Sequence, residues 1–143
     1  MNAARTAPGQ AVALAQAALA HIAAGGPERL LAHYHELFAE DFTFHPILAG
    51  TVENKTYVGR EGFEEYWRDF TGAFGDPRFV DPRIEAVAGD RVLITSTLVA
   101  RGAGSGVPIR RDVAQVFEAR DARIASGRTF FSEADAREFI ADA

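Results

Sequence analysis

The chain contains no cysteine, and this one absence removes disulfides, thiolate metal sites and a cysteine nucleophile together. Lysine is almost missing as well: the 15 basic side chains include a single lysine, Lys55, an arginine preference that GC-rich coding accounts for. A net charge of -5 and a pI near 5.3 leave no clustered basic face of the kind nucleic acid requires. No apolar run approaches the ~20 residues needed to span a bilayer. Residues 11–24 are alanine-rich, but His21 interrupts them, only Arg5 precedes them as a basic residue, and Gly25-Gly26-Pro27 breaks the chain behind them. That pattern suits an amphipathic helix better than a signal peptide, and the expectation is a cytoplasmic protein.

What remains, in 143 residues, is enough for one domain. Residues 1–9 read as a mobile tail closed by Pro8 and Gly9, and residues 10–143 as a single domain. The first helix is expected over 10–24. A second is expected over 27–39, where Leu30, Leu31, Tyr34, Leu37 and Phe38 form one stripe, and a third over 60–74, with Phe63, Tyr66, Trp67, Phe70 and Phe74. Between the second and third helices, 42–45 alternates as a short strand ended by Pro46, and 47–58 forms a rim loop. Residues 77–82 read as punctuation between two prolines, followed by a strand over 83–88 and a turn at Gly89-Asp90. Three patterned strands follow at 91–101, 108–119 and 123–131, and Ser132 with Glu133 and Asp135 opens a final helix. Three helices before an antiparallel meander give an α+β fold, a curved, cone-shaped antiparallel sheet packed against three N-terminal helices with an open mouth.

Alternation assigns the strand faces. Val113, Gln115 and Phe117 share one face of their strand, Ile94, Ser96 and Leu98 one face of theirs, and Gly127, Thr129 and Phe131 one face of the last. Neither face of the sheet is uniformly polar, so a second subunit on the convex face, making a homodimer, is the expected partner. Gln115 stands among apolar neighbours, and a buried amide must find a hydrogen-bond partner, in a ligand, in His45 or in nearby backbone. Trp67 and Tyr34, with Phe63 and Phe70 alongside, could wall a pocket for a flat or alicyclic molecule; helical spacing alone favours ordinary core residues over walls. Tyr57 lies in the rim loop, where it could close over the mouth. His33 and His35 are two apart on a helix and cannot chelate together, and no cofactor is called for. Residues 102–106 form a glycine-rich hairpin tip, without the lysine and following helix of a phosphate loop.

Several segments resemble the SnoaL-like branch of the nuclear-transport-factor-2-like superfamily. They are Phe42-Thr-Phe-His-Pro46, Tyr57-Val-Gly-Arg-Glu-Gly-Phe63, Arg101-Gly-Ala-Gly-Ser-Gly-Val107, Val116-Phe-Glu-Ala-Arg-Asp-Ala-Arg-Ile124 and the close at Arg128-Thr-Phe-Phe131. The resemblance implies the cone fold and a range of functions: polyketide cyclases, ketosteroid isomerases, epoxide hydrolases, dehydratases and binding domains without catalysis. Ketosteroid isomerases carry a carboxylate, a tyrosine and an aspartate where this chain has His45, alanines near Ala18, and Val113. Limonene-type epoxide hydrolases carry Arg and Asp residues where this chain has Ser96, Leu98 and Thr129. Neither machinery is intact. At the position where the resemblance implies a general base stands His45, which could move a proton without a metal; its plain alternative is a histidine ending a strand. The expected function is binding of a small, largely apolar molecule, with His45 as the proton carrier, Gln115 and Thr129 on a carbonyl or hydroxyl, and Trp67, Phe63, Phe117 and Phe131 as walls. The alternative is a dimeric binding module with no chemistry of its own.

Overall fold

The computed structural model describes residues 10–46, 55–102 and 104–142; the tail at 1–9 and most of the expected rim loop lie outside them. The chain begins with α1 (Gln10–Ala32), a helix broken at Gly26, whose φ of 75° and ψ of -168° no helix accommodates. Pro27 then restarts the helix, as its fixed φ favours at a first turn. This second limb is shorter than its hydrophobic stripe suggests. It ends at Ala32, a single turn α2 (Tyr34–Leu37) follows, and Phe38 already opens strand β1 (Phe38–His45). Pairing across the sheet overrides helical spacing here: Phe38 lies opposite Ile124 and stacks on Tyr34, with ring centroids 5.1 Å apart.

Next come β2 (Tyr57–Val58), α3 (Gly59–Ala73), β3 (Phe74–Val87), β4 (Arg91–Gly102), β5 (Pro108–Arg120), β6 (Arg123–Phe130) and α4 (Glu133–Asp142). The six strands form one curved sheet in the order β2-β1-β6-β5-β4-β3. β3 to β6 make the expected antiparallel meander, but β1 pairs parallel with β6, which the long intervening connection permits. The segment expected to punctuate is instead the first part of β3. Its register shifts between Gly75 and Arg78 and again between Val80 and Arg83. At each shift an aspartate with φ of 52°, Asp76 or Asp81, precedes a proline. An edge strand tolerates this, because proline's missing N–H can face away from the ladder.

Helices α1 to α3 cover one face of the sheet, where the main core gathers Leu30, Phe42, Phe44, Tyr66, Phe70, Ile94 and Val113. On the other face, Leu93, Ala114 and Val116 are buried against Ala136 of α4. The apolar patch that suggested a second subunit is thus covered in part by the chain's own last helix. Ser132 caps that helix, its Oγ accepting from the Asp135 N–H at 3.1 Å. Arg137 ties it to β3 through a two-pronged contact with Glu85 at 2.8 and 3.1 Å.

Across the inner face, Phe44, Gly127 and Phe117 stand side by side on β1, β6 and β5. The phenylalanine rings are parallel with centroids 6.2 Å apart, and they occupy the space a side chain on Gly127 would need. A Cβ there would sit 2.5 Å from the Phe117 ring and 3.0 Å from the Phe44 ring. Gly127→Ala is therefore expected to destabilise the fold by roughly 1–3 kcal/mol through overpacking, read as a lower midpoint with unchanged slope in urea unfolding.

A candidate small-molecule cavity under the sheet

Between the helices and the inner face lies a cavity of about 90 Å³, several times the ~10–15 Å³ that one water needs. Helix α1 presents Ala15, Ala18, Leu19 and Ile22 to it, the spacing that places four side chains on one helical face. Alternation delivers the rest: Phe42 and Phe44 from β1, Ile94 and Ser96 from β4, Gln115 and Phe117 from β5. Helix α3 adds Phe63, Tyr66 and Trp67, and β3 adds Phe79 and Pro82. The small alanines of α1 leave room that larger residues would fill.

Few polar groups reach this space. Gln115 donates from Nε2 to Thr129 Oγ1 at 3.3 Å, across a directly paired position of β5 and β6. Trp67 lines the cavity, and its indole Nε1 is buried with no hydrogen-bond partner among the described residues, an uncommon state for a donor. Burial pushes the Tyr66 hydroxyl above its ordinary value of 10.0, with the neighbouring Tyr57 adding to the effect, so Tyr66 is a neutral donor near pH 7. Ser96 completes the set. None of the described lining residues is a carboxylate or an imidazole.

Of the residues the sequence marks, Trp67, Phe63, Gln115 and Phe117 meet at this cavity, and Thr129, 5% exposed, supports Gln115 from the next strand. The others stand elsewhere. His45 is on the opposite face of the sheet, because Phe42 and Phe44 point inward and the pleat turns each next residue outward. There its Nδ1 is 3.1 Å from Thr56 Oγ1, and burial, then the Arg128 guanidinium, hold its pKa below the ordinary 6.5. Tyr34 is core rather than wall, its hydroxyl donating to the Ala39 carbonyl at 2.9 Å. Tyr57 is buried too and donates to Asp69 Oδ2 at 2.7 Å, so its side chain is not a flap over the mouth. Asp69 also accepts from Lys55 at 3.4 Å. Phe131 lies beyond β6 under the guanidinium of Arg111, 4.2 Å from its ring centre.

Asp112 accepts from Thr97 at 3.4 Å. Asp41 lies in β1 and pairs with Arg120 at 3.0 Å. His21 and His33 stack with ring centres 4.1 Å apart. Among the described residues no three His, Cys, Asp or Glu side chains cluster as metal ligands would. Sequence reasoning passed over Tyr66 and Ser96 as cavity residues. Their signal was present in the face-sharing of Ser96 with Ile94 and in the α3 stripe, but nothing in the pattern separates a lining residue from a packed one.

A curved sheet with three helices closing an apolar hollow defines a nuclear-transport-factor-2-like fold. The chain belongs to the SnoaL-like domain family, whose model matches residues 15–127. No curated protein matches the chain. Among solved structures, TerC co-crystallised with polyporic acid superposes with a TM-score of 0.70 at 18% identity, over 92% of this chain and 98% of the other. A nuclear-transport-factor-2-like protein of unknown function from Burkholderia pseudomallei gives 0.71 at 13%, over 92% and 97%. A candidate polyketide cyclase from Xanthomonas campestris gives 0.68 at 19%, over 94% and 96%.

The three tyrosines (Tyr34, Tyr57 and Tyr66) give this interior a pH signature. Burial is the first cause in each, and it carries Tyr34 up to about 12 and the other two higher, with Asp41 aiding Tyr34 and Asp69 aiding Tyr57. A fold that raises these values is favoured fully below the unfolded value near ~10 and loses that advantage as pH rises through the folded ones. Spectrophotometric titration should show little tyrosinate at roughly pH 11 in the native protein, with the signal appearing together with loss of structure.

Proposed function

We propose that the chain binds a small, largely apolar molecule bearing one hydrogen-bond acceptor, in the cavity between α1, α3 and the inner face of the sheet. The observation that carries this reading is the Trp67 indole N–H, a buried donor without an acceptor among the described residues, beside a cavity walled mostly by hydrocarbon. A ligand carbonyl, ether or hydroxyl oxygen would supply the missing partner, and Gln115, held by Thr129, would orient a second polar edge. The same reading weighs against proton transfer by His45 in this cavity, since the sheet stands between them. Binding without residue-borne acid/base chemistry is the better-supported alternative, with Tyr66, Ser96, Gln115 and Trp67 acting as neutral hydrogen-bonding groups. TerC, of the same fold, co-crystallises with polyporic acid, which supports a small-molecule role for this architecture.

Trp67 is the only tryptophan, so its emission reports on the cavity directly. Titration with camphor, cyclohexanone and acetophenone is expected to change that emission saturably for at least one of these uncharged ketones. Ala18→Leu, which adds three carbons to the cavity wall, should weaken the same binding by about tenfold or more while leaving the far-ultraviolet spectrum unchanged. Absence of any saturable response, or equal binding by the filled variant, would count against the cavity as the ligand site.

A further inference from the structure

A second pocket, of about 140 Å³, lies on the outer face of the sheet beside α4, separated from the apolar cavity by the thickness of the strands. It is lined by His45, Arg91, Glu118, Ser126, Arg128 and Phe139, among others. Strand register brings these together from four strands: Arg91 opposes Glu118, Glu118 opposes Ser126, and His45 opposes Arg128.

Arg91 is the informative residue. Its Nε donates to the Ala88 carbonyl at 2.9 Å, which fixes the guanidinium plane. Its Nη1 is buried and has no hydrogen-bond partner among the described residues. A guanidinium cannot shed its proton near neutral pH, so an orphaned, desolvated N–H on it calls for an acceptor. Arg128 is likewise in no ion pair among the described residues; its guanidinium lies 5.1 Å from the centre of the Phe139 ring. Two arginines and one carboxylate leave an excess of one positive charge around the pocket, in a chain whose net charge is -5. The planar fork of arginine matches a carboxylate, Ser126 offers a hydroxyl, and Phe139 offers an apolar wall. Glu118 opposes a dianion more than a monoanion.

We propose that this outer pocket is a binding site for a small monocarboxylate with a compact apolar body, held by Arg91 and Arg128. It is independent of the apolar cavity and of the function proposed for it.

Sodium benzoate is the probe, titrated calorimetrically into the full chain at constant ionic strength, with benzyl alcohol and inorganic phosphate as comparisons. Saturable binding of benzoate, none of benzyl alcohol, and unchanged Trp67 emission throughout are expected. Arg91→Gln should weaken benzoate by about tenfold or more, the loss of a charge-assisted hydrogen bond. Glu118→Gln, an exposed position whose replacement leaves the packing intact, should tighten it by about threefold, and this variant decides the matter if Arg91→Gln does not fold. The proposal is overturned if benzoate gives no saturable heat, if Glu118→Gln leaves its affinity unchanged, or if phosphate binds more tightly. A benzoate response in Trp67 emission would also overturn it, by placing the ligand in the inner cavity.

Discussion

The two faces of a single β-layer cannot exchange side chains, and this constraint governs the molecule. Between bulges, each strand residue is committed to one side by its parity, so β1 delivers Phe42 and Phe44 to the helices and His45 to the opposite surface. The same rule, applied to β5 and β6, sends Gln115 and Phe117 inward while Val116 and Arg128 face α4. Apolar cavity and arginine-lined pocket are therefore products of one alternation. They share walls without sharing chemistry.

The inner cavity persists for a packing reason. Sheet and helices meet through large aromatics: Phe44 against Tyr66 at 4.7 Å, Phe63 against Phe38 at 5.2 Å, and Phe70 against Phe79 at 5.9 Å between ring centres. Rings of this size prop the layers apart, and α1 answers them with alanines at 15 and 18 rather than with filling residues. Gly127 contributes in the opposite sense, letting two rings lie flat over bare backbone. What results is a hollow whose described polar lining groups are all neutral.

Much of this architecture was legible in the sequence because the responsible signals are local. The paired strands from Arg91 to Phe130 announce themselves by alternation and turn residues. The α3 stripe and the Ser132 cap also follow near-neighbour rules, and Trp67, Phe63, Gln115 and Phe117 were recoverable as inward-facing for the same reason. The failures are tertiary. Phe38 and Ala39 satisfy a helical stripe, yet their backbone is claimed by β6. Pro77 and Pro82 look like strand breakers, but aspartates at positive φ absorb them as bulges. The family resemblance implies an inward general base at His45, whereas the alternation with Phe42 and Phe44 turns it outward. Tyr34 and Tyr57 carry polar tips that suggest a site, but Ala39 and Asp69, brought to them by the tertiary fold, already engage them.

The two Asp-Pro bulges of β3 also bear on how the protein behaves in a crowded solution. β3 is the outermost strand of the sheet, and a long, flat outer strand invites another polypeptide to extend the ladder. Two prolines subtract donors from that rim and two kinks spoil its straightness, so an incoming strand would find neither continuous partners nor a matching line. Resistance to fibrous self-association is thus written into the same residues that make β3 hard to recognise.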